Sequence, residues 1–221
     1  QSKPLGLQAL ELAYLCGAMK QWGEALPFVE IVLRQEIPMM DAWVWAADVL
    51  AIAGRWQAAL KVLEQALALT MQNSVLEQID ESDAGLAQQL FVFSDCLGVE
   101  RADVLFRLAR LTALQGNYRK ALEFALSGVQ LRPENMMLRY LAAELAAAQA
   151  QMQFAMRLVE PALEMEDTLP LEQQGLAVAC LTLCGELALR EGDVTLAEQC
   201  LQKGRRYGNE SARLLALKSR L

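Results

Sequence analysis

Apolar residues recur along this chain at the spacing of one helical face, and the runs are broken by short turns. The pattern predicts helices over 5–20, 23–36, 41–53, 56–72, 84–97, 101–115, 118–131, 135–149, 152–165, 171–190, 194–206 and 209–220. Four turns share one frame: Gly54-Arg55-Trp56-Gln57-Ala58-Ala59-Leu60, Gly116-Asn117-Tyr118-Arg119-Lys120-Ala121-Leu122, Ala150-Gln151-Met152-Gln153-Phe154-Ala155-Met156 and Gly192-Asp193-Val194-Thr195-Leu196-Ala197-Glu198. A fifth, Lys20-Gln21-Trp22-Gly23-Glu24-Ala25-Leu26, fits without the glycine.

The alanines of these frames, Ala25, Ala59, Ala121, Ala155 and Ala197, are separated by 34, 62, 34 and 42 residues, so insertions fall near 73–100 and 165–173. The glycine permits the left-handed turn that ends a first helix. The residue two places later (Trp22, Trp56, Tyr118, Met152 or Val194) is expected to plug the hairpin, and the alanine lets two helices approach closely. Small or apolar residues recur on the first helices at Cys16 or Ala13, Ala47, Ala109, Ala143 and Gly185. On the second helices they recur at Val32, Ala66, Gly128, Ala162 and Gly204, as stacked hairpins require. Pro38 and Pro133 are placed to stop two second helices.

With these residues the chain resembles the tetratricopeptide-repeat (TPR) family over roughly residues 7 to 210. The third unit matches best, through Leu108, Gly116, Tyr118, Ala121 and Pro133; the second has Trp43, Gly54, Trp56, Ala59 and Ala66. The first and fourth are degenerate and lack the turn glycine. The resemblance implies an all-α, right-handed α-solenoid of about five helical hairpins, with units near 5–38, 41–72, 101–133, 135–168 and 171–208. An insertion at 73–100 and a capping helix at 209–221 complete it. Two readings of the insertion stay open: an extra packing helix carrying Leu90, Phe91 and Phe93, or a protruding element that contacts a partner.

In this family the first helices line a concave groove. The register carries that role to Glu11, Tyr14, Trp45, Asp48, Phe106, Arg107, Arg110, Tyr140, Glu144 and Glu186, and offers Leu10, Asp41, Val44, Leu141 and Thr182 beside them. The subclass that grips a C-terminal carboxylate needs Lys and Asn where this chain has Leu10, Tyr14, Val44 and Asp48, so that clamp is absent. An apolar or amphipathic peptide or helix is the implied guest, and the acidic residues favour one bearing Lys or Arg. The competing reading packs Trp45 and Phe106 between neighbouring helices.

Composition narrows the function. The 221 residues are 54% hydrophobic, with six prolines and thirteen glycines; mean hydropathy is +0.19. The richest stretch, Met39 to Ala53, is interrupted by Asp41 and Asp48, which reads as helix core and not as a membrane span. A net charge of −7 without a basic block disfavours nucleic acid. Lys203, Arg205 and Arg206 read as a solvated helix end in preference to an anion site. Five scattered cysteines read as reduced core residues of a cytoplasmic protein. Because the sequence starts at Gln1, an excised piece of a larger protein is the expectation, with a periplasmic protein after signal-peptide removal as the alternative.

Catalytic chemistry finds no foothold. The chain has no histidine, which removes the usual triads and the commonest zinc ligand, and it has no phosphate-binding glycine loop. Glu164 and Glu166 read as surface charge, and Cys180, Cys184 and Cys200 lack a fourth metal ligand and read as core. The expectation is a non-enzymatic scaffold or adaptor without metal or cofactor. Resemblance to degenerate bacterial repeats points to secretion or envelope assembly. A chaperone for secreted proteins and the repeat portion of a larger enzyme or regulator are the alternatives.

Overall fold

A computed structural model describes residues 5–35, 40–76, 100–166, 169–207 and 212–220. Among them are eleven α-helices and no strand: α1 Leu5–Ala18, α2 Trp22–Arg34, α3 Met40–Ile52, α4 Trp56–Leu76, α5 Arg101–Leu114, α6 Tyr118–Leu131, α7 Met136–Ala148, α8 Met152–Val159, α9 Leu171–Glu191, α10 Val194–Arg206 and α11 Ala212–Arg220. The helix expected at 84–97, with Leu90, Phe91 and Phe93, lies outside the described residues, as do Pro38 and Cys96. No described helix is long and apolar enough to cross a membrane. The helices fall into two compact units, Gln1–Leu111 and Thr112–Leu221.

The turns explain why the helices come in pairs. The first helix of each pair ends with one residue in the left-handed region: Lys20 (φ 59°), Gly54 (77°), Gly116 (81°), Ala150 (60°) and Gly192 (85°). The next residue then donates its N–H back to the carbonyl five places earlier: Gln21 to Cys16, Arg55 to Leu50, Asn117 to Thr112, Gln151 to Ala146 and Asp193 to Ala188, at 2.8 to 3.2 Å. These are five copies of a Schellman cap. In two of them the same residue also opens the following helix, since Asn117 Oδ1 accepts from the Lys120 amide and Asp193 Oδ1 from that of Leu196.

Each second helix therefore starts at a fixed offset, which puts Ala25, Ala59, Ala121, Ala155 and Ala197 at equivalent, fully buried positions. The expected plugs are corrected in part. All five occupy the first position of the second helix; Trp56, Tyr118 and Val194 are about half exposed there, whereas Trp22 and Met152 are partly buried and the Trp22 ring lies against Gly17. A second correction concerns the fourth pair. Pro161 lacks an N–H and crowds the preceding turn, so α8 stops at Val159 and continues as a 3₁₀ turn, Glu160–Leu163.

In the N-terminal unit, Ala9, Leu10, Val32 and Ala42 form a seam flanked by Tyr14, Phe28, Ile31 and Trp45. In the C-terminal unit the seams are tighter still. A Cβ on Gly128 would lie 2.7 Å from Leu138 Cδ2, and one on Gly185 2.6 Å from Leu217 Cδ2. Helix α11 thus seats Leu214 and Leu217 against the last pair, next to Leu201 and Leu189. The loop after α8 is pinned to α10 by Lys203 Nζ to the Met165 carbonyl (2.6 Å) and by Tyr207 Oη to that of Glu166 (2.9 Å).

Cys16, Cys180, Cys184 and Cys200 are buried free thiols. Burial, reinforced by neighbouring Cys184, pushes the Cys180 thiol from 9.0 up to about 12. The hydrogen bond to Cys184 and burial raise that of Cys200. Among the described residues no group of three or more His, Cys, Asp or Glu is arranged to hold a metal.

Three predictions follow from these turns and thiols. Ala150→Gly relieves a left-handed strain of about 1–2 kcal/mol against a smaller loss to unfolded-chain entropy. It should raise the urea unfolding free energy by about 0.5–1 kcal/mol, whereas Gly116→Ala should lower it by about 1 kcal/mol. Ellman titration at pH 8 should label at most one of the five cysteines in the native chain and all five in denaturant. Because the folded Cys180 pKa lies above its unfolded value, its contribution is complete below pH 9 and is lost as pH rises toward about 12. Cys180→Ala should flatten the fall of stability across that window.

Candidate functional site

The repeat spacings align one position from each first helix: Tyr14, Asp48, Arg110, Glu144 and Glu186, at intervals of 34, 62, 34 and 42 residues. A neighbouring position aligns Glu11, Trp45, Arg107 and Leu141 at the first three of these intervals. One turn of helix separates the two sets, so both lie on one face of each helix.

In the N-terminal unit this face is built from α1, α3 and the first turns of α5. Tyr14 meets Trp45 across the first pair of neighbours, with ring centroids 4.5 Å apart and planes inclined by 36°. Trp45 can lie there because Gly17 has no Cβ, which would stand 3.1 Å from the indole and from Trp22. At the equivalent place one repeat later, Arg107 Nε donates to both carboxylate oxygens of Asp48 at 3.0 Å. The same register contact is thus aromatic between α1 and α3 and ionic between α3 and α5. Burial lifts the Asp48 pKa above the usual carboxylate range, outweighing the pull of Arg107 and Arg110. With the Arg107 and Asp48 side chains 31% and 43% exposed, the pair orients the two groups more than it stabilises the fold. The exposed Arg110 guanidinium rests over the Phe106 ring, 5.6 Å from its centroid, which anchors a cation at the edge of the face.

In the C-terminal unit, Tyr140 Oη donates to Glu144 Oε1 at 2.6 Å on α7. Glu186 is half-buried on α9, and Glu11 is half-buried on α1 in the N-terminal unit. The structure brings Tyr14 together with Trp45, Asp48 with Arg107 and Arg110, Phe106 with Arg110, and Tyr140 with Glu144. It withdraws Leu10, Val44 and Thr182, all nearly inaccessible, so those three face the helix seams and not a guest. The Tyr14–Trp45 and Asp48–Arg107 pairs went unread in the sequence, although the spacing that aligns them was legible. The structure also limits the part Asp48 can play, because its carboxylate is engaged by Arg107.

No family model matches the sequence, and no curated protein matches it. Solved structures do match. YrrB, described as a TPR protein with an unusual peptide-binding site, superposes with a TM-score of 0.65 at 15% identity, covering 96% of this chain and 90% of its own. MamA from Desulfovibrio magneticus RS-1 (residues 41 to the end) gives 0.66 at 14% identity, over 96% of this chain and all of its own. Cut9, in the Cut9–Hcn1 hetero-tetramer of the APC/C, gives 0.59 at 15% identity, over 97% of this chain and 36% of its own. At such identities the likeness speaks for architecture alone. Helical pairs, Schellman turns and small-residue seams agree with it: this chain has the all-α solenoid fold of tetratricopeptide-repeat proteins.

Proposed function

We propose that this chain is a non-catalytic scaffold or adaptor that holds a peptide or helix of a partner protein against the first-helix face. The observation that carries this reading is the half-buried Tyr14–Trp45 pair beside the Asp48–Arg107–Arg110 cluster. Aromatic and arginine side chains, partly shielded and rigidly held, are the groups that dominate protein–protein binding energy. The likeness to a TPR protein with a peptide-binding site supports the same direction.

The guest this surface fits carries an apolar side chain for Tyr14 and Trp45 and a polar or charged neighbour for the ionic cluster. The acidic Glu11, Asp48, Glu144 and Glu186 on this face favour a guest that bears Lys or Arg. A place in secretion or envelope assembly fits such an adaptor. A chaperone for secreted proteins is the second reading, favoured by the acidic, aromatic-bearing face; it predicts that co-expression raises the solubility of a secreted substrate.

Selection of a random peptide library on the purified chain tests the first reading. Enriched peptides should share an aromatic or aliphatic residue near a charged one. Trp45→Ala should weaken them at least about tenfold, and Arg110→Ala about threefold to tenfold, with helical circular dichroism unchanged. Equal binding by both variants would remove the groove from consideration.

A further inference from the structure

The charges gathered around Asp48 do not cancel. Both of its carboxylate oxygens accept from Arg107 Nε at 3.0 Å, and Arg110 stands close enough to act on the same carboxylate. Helix α5 carries three arginines and one aspartate. That aspartate, Asp103, is turned to the start of the helix, where Oδ2 accepts from the Glu100 amide at 2.9 Å. Among the described residues no carboxylate forms an ion pair with Arg110. Two guanidinium groups thus meet one carboxylate, and the cluster keeps a positive charge.

That charge sits on Arg110, which is exposed but held in place. Its guanidinium lies over the partly buried Phe106 ring, one turn back on α5 and 5.6 Å from the centroid. Resting on the ring restricts its rotamers, so less freedom is lost when it meets an anion. A guanidinium also presents paired N–H groups that match the two oxygens of a carboxylate. Trp45, packed on Tyr14, stands one turn before Asp48 on the same helix. In the C-terminal unit the register of Arg110 is occupied by Glu144 on α7 and Glu186 on α9. The register is cationic on α5 alone.

We propose that Arg110 takes the side-chain carboxylate of an Asp or Glu in the guest, beside the apolar residue held by Tyr14 and Trp45. This rests on the first-helix face being the seat of a partner segment. Neighbouring helices lie about 8–10 Å apart and an extended chain advances about 3.3 Å per residue, so the acidic residue falls about three positions from the apolar one. Basic residues of the guest belong with Glu11, Glu144 and Glu186 instead. A carboxylate at Arg110 leaves Asp48 with Arg107, so no existing pair is broken. The new pair is partly open to water, and it selects among guests more than it tightens binding.

A random peptide library displayed with both peptide ends blocked tests this. Peptides enriched on the wild-type chain should carry Asp or Glu about three positions from their apolar residue. Arg110→Glu should replace it with Lys or Arg at the same spacing, and Arg110→Gln should erase the preference, with helical circular dichroism unchanged in both. In the best peptide, made synthetically, exchanging the acidic residue for Lys should weaken wild-type binding at least about fivefold and strengthen binding to Arg110→Glu. The wild-type difference should shrink as salt is added. Peptides that depend on Trp45 but carry no acidic excess, or an excess unchanged in Arg110→Glu, overturn this inference and leave the groove standing. If no peptide distinguishes the wild type from Trp45→Ala, the groove and this inference fall together. A phosphoserine in place of the acidic residue that tightens wild-type binding about tenfold or more, and does so only with Arg110 present, makes the cluster a phosphate site and overturns the carboxylate assignment.

Discussion

Two helices of about thirteen residues cannot bury their apolar sides against each other alone, and everything in this chain follows from how closely they and their neighbours approach. The approach is set by the absence of side-chain atoms. Ala25, Ala59, Ala121, Ala155 and Ala197 are fully buried, and at Gly128 and Gly185 even a single Cβ would press into a leucine. Close packing of this kind recovers dispersion energy over many weak contacts, and it tolerates little added volume. The five left-handed turn residues are the complementary condition, because they fix where each second helix starts and hence which residue meets the seam.

Once the seams are fixed, the outward residues of the first helices have nowhere to go but one face. That is why positions 14 and 48 face positions 45 and 107, and why an aromatic pair and an ion pair occupy equivalent places. The backbone does discriminate at the first place, since Tyr14 and Trp45 pack on the seam and the indole fits only because Gly17 has no Cβ. Chemistry at this register thus differs from repeat to repeat, aromatic at one place and ionic at the next. The described cysteines are buried instead. Cys184 occupies the position that Ala46, Leu108 and Ala142 occupy in earlier helices, and it is as fully buried as they are, a small side chain that fills the seam.

Helix positions, the all-α class and the equivalence of the five alanines were legible from the sequence because they depend on local rules: helical periodicity, the need of a left-handed turn for glycine, and a spacing that repeats. The same locality let Lys20 and Ala150 be aligned with glycines before any backbone angle was known, and both proved left-handed. What the sequence misjudged were matters of direction. Trp22, Trp56, Tyr118, Met152 and Val194 recur in one slot, and recurrence of large residues invites a core assignment; yet the slot lies at a helix corner, where Trp56, Tyr118 and Val194 stand half exposed while Trp22 and Met152 are partly buried. Leu10, Val44 and Thr182 erred in the opposite sense, because a one-residue step around a helix moves a side chain by about 100° from groove to seam.

The sequence by itself determined which segments are helical, where each turns and which small residues must touch, since each of these is decided within a few residues by backbone sterics and helical period. Only the tertiary structure decided that Tyr14 stacks on Trp45, that Arg107 engages Asp48, and that Arg110 lies over the Phe106 ring. Those outcomes depend on which helix lies alongside which and at what height. That arrangement is set by packing between segments distant in sequence, and a pattern read along one chain does not carry it.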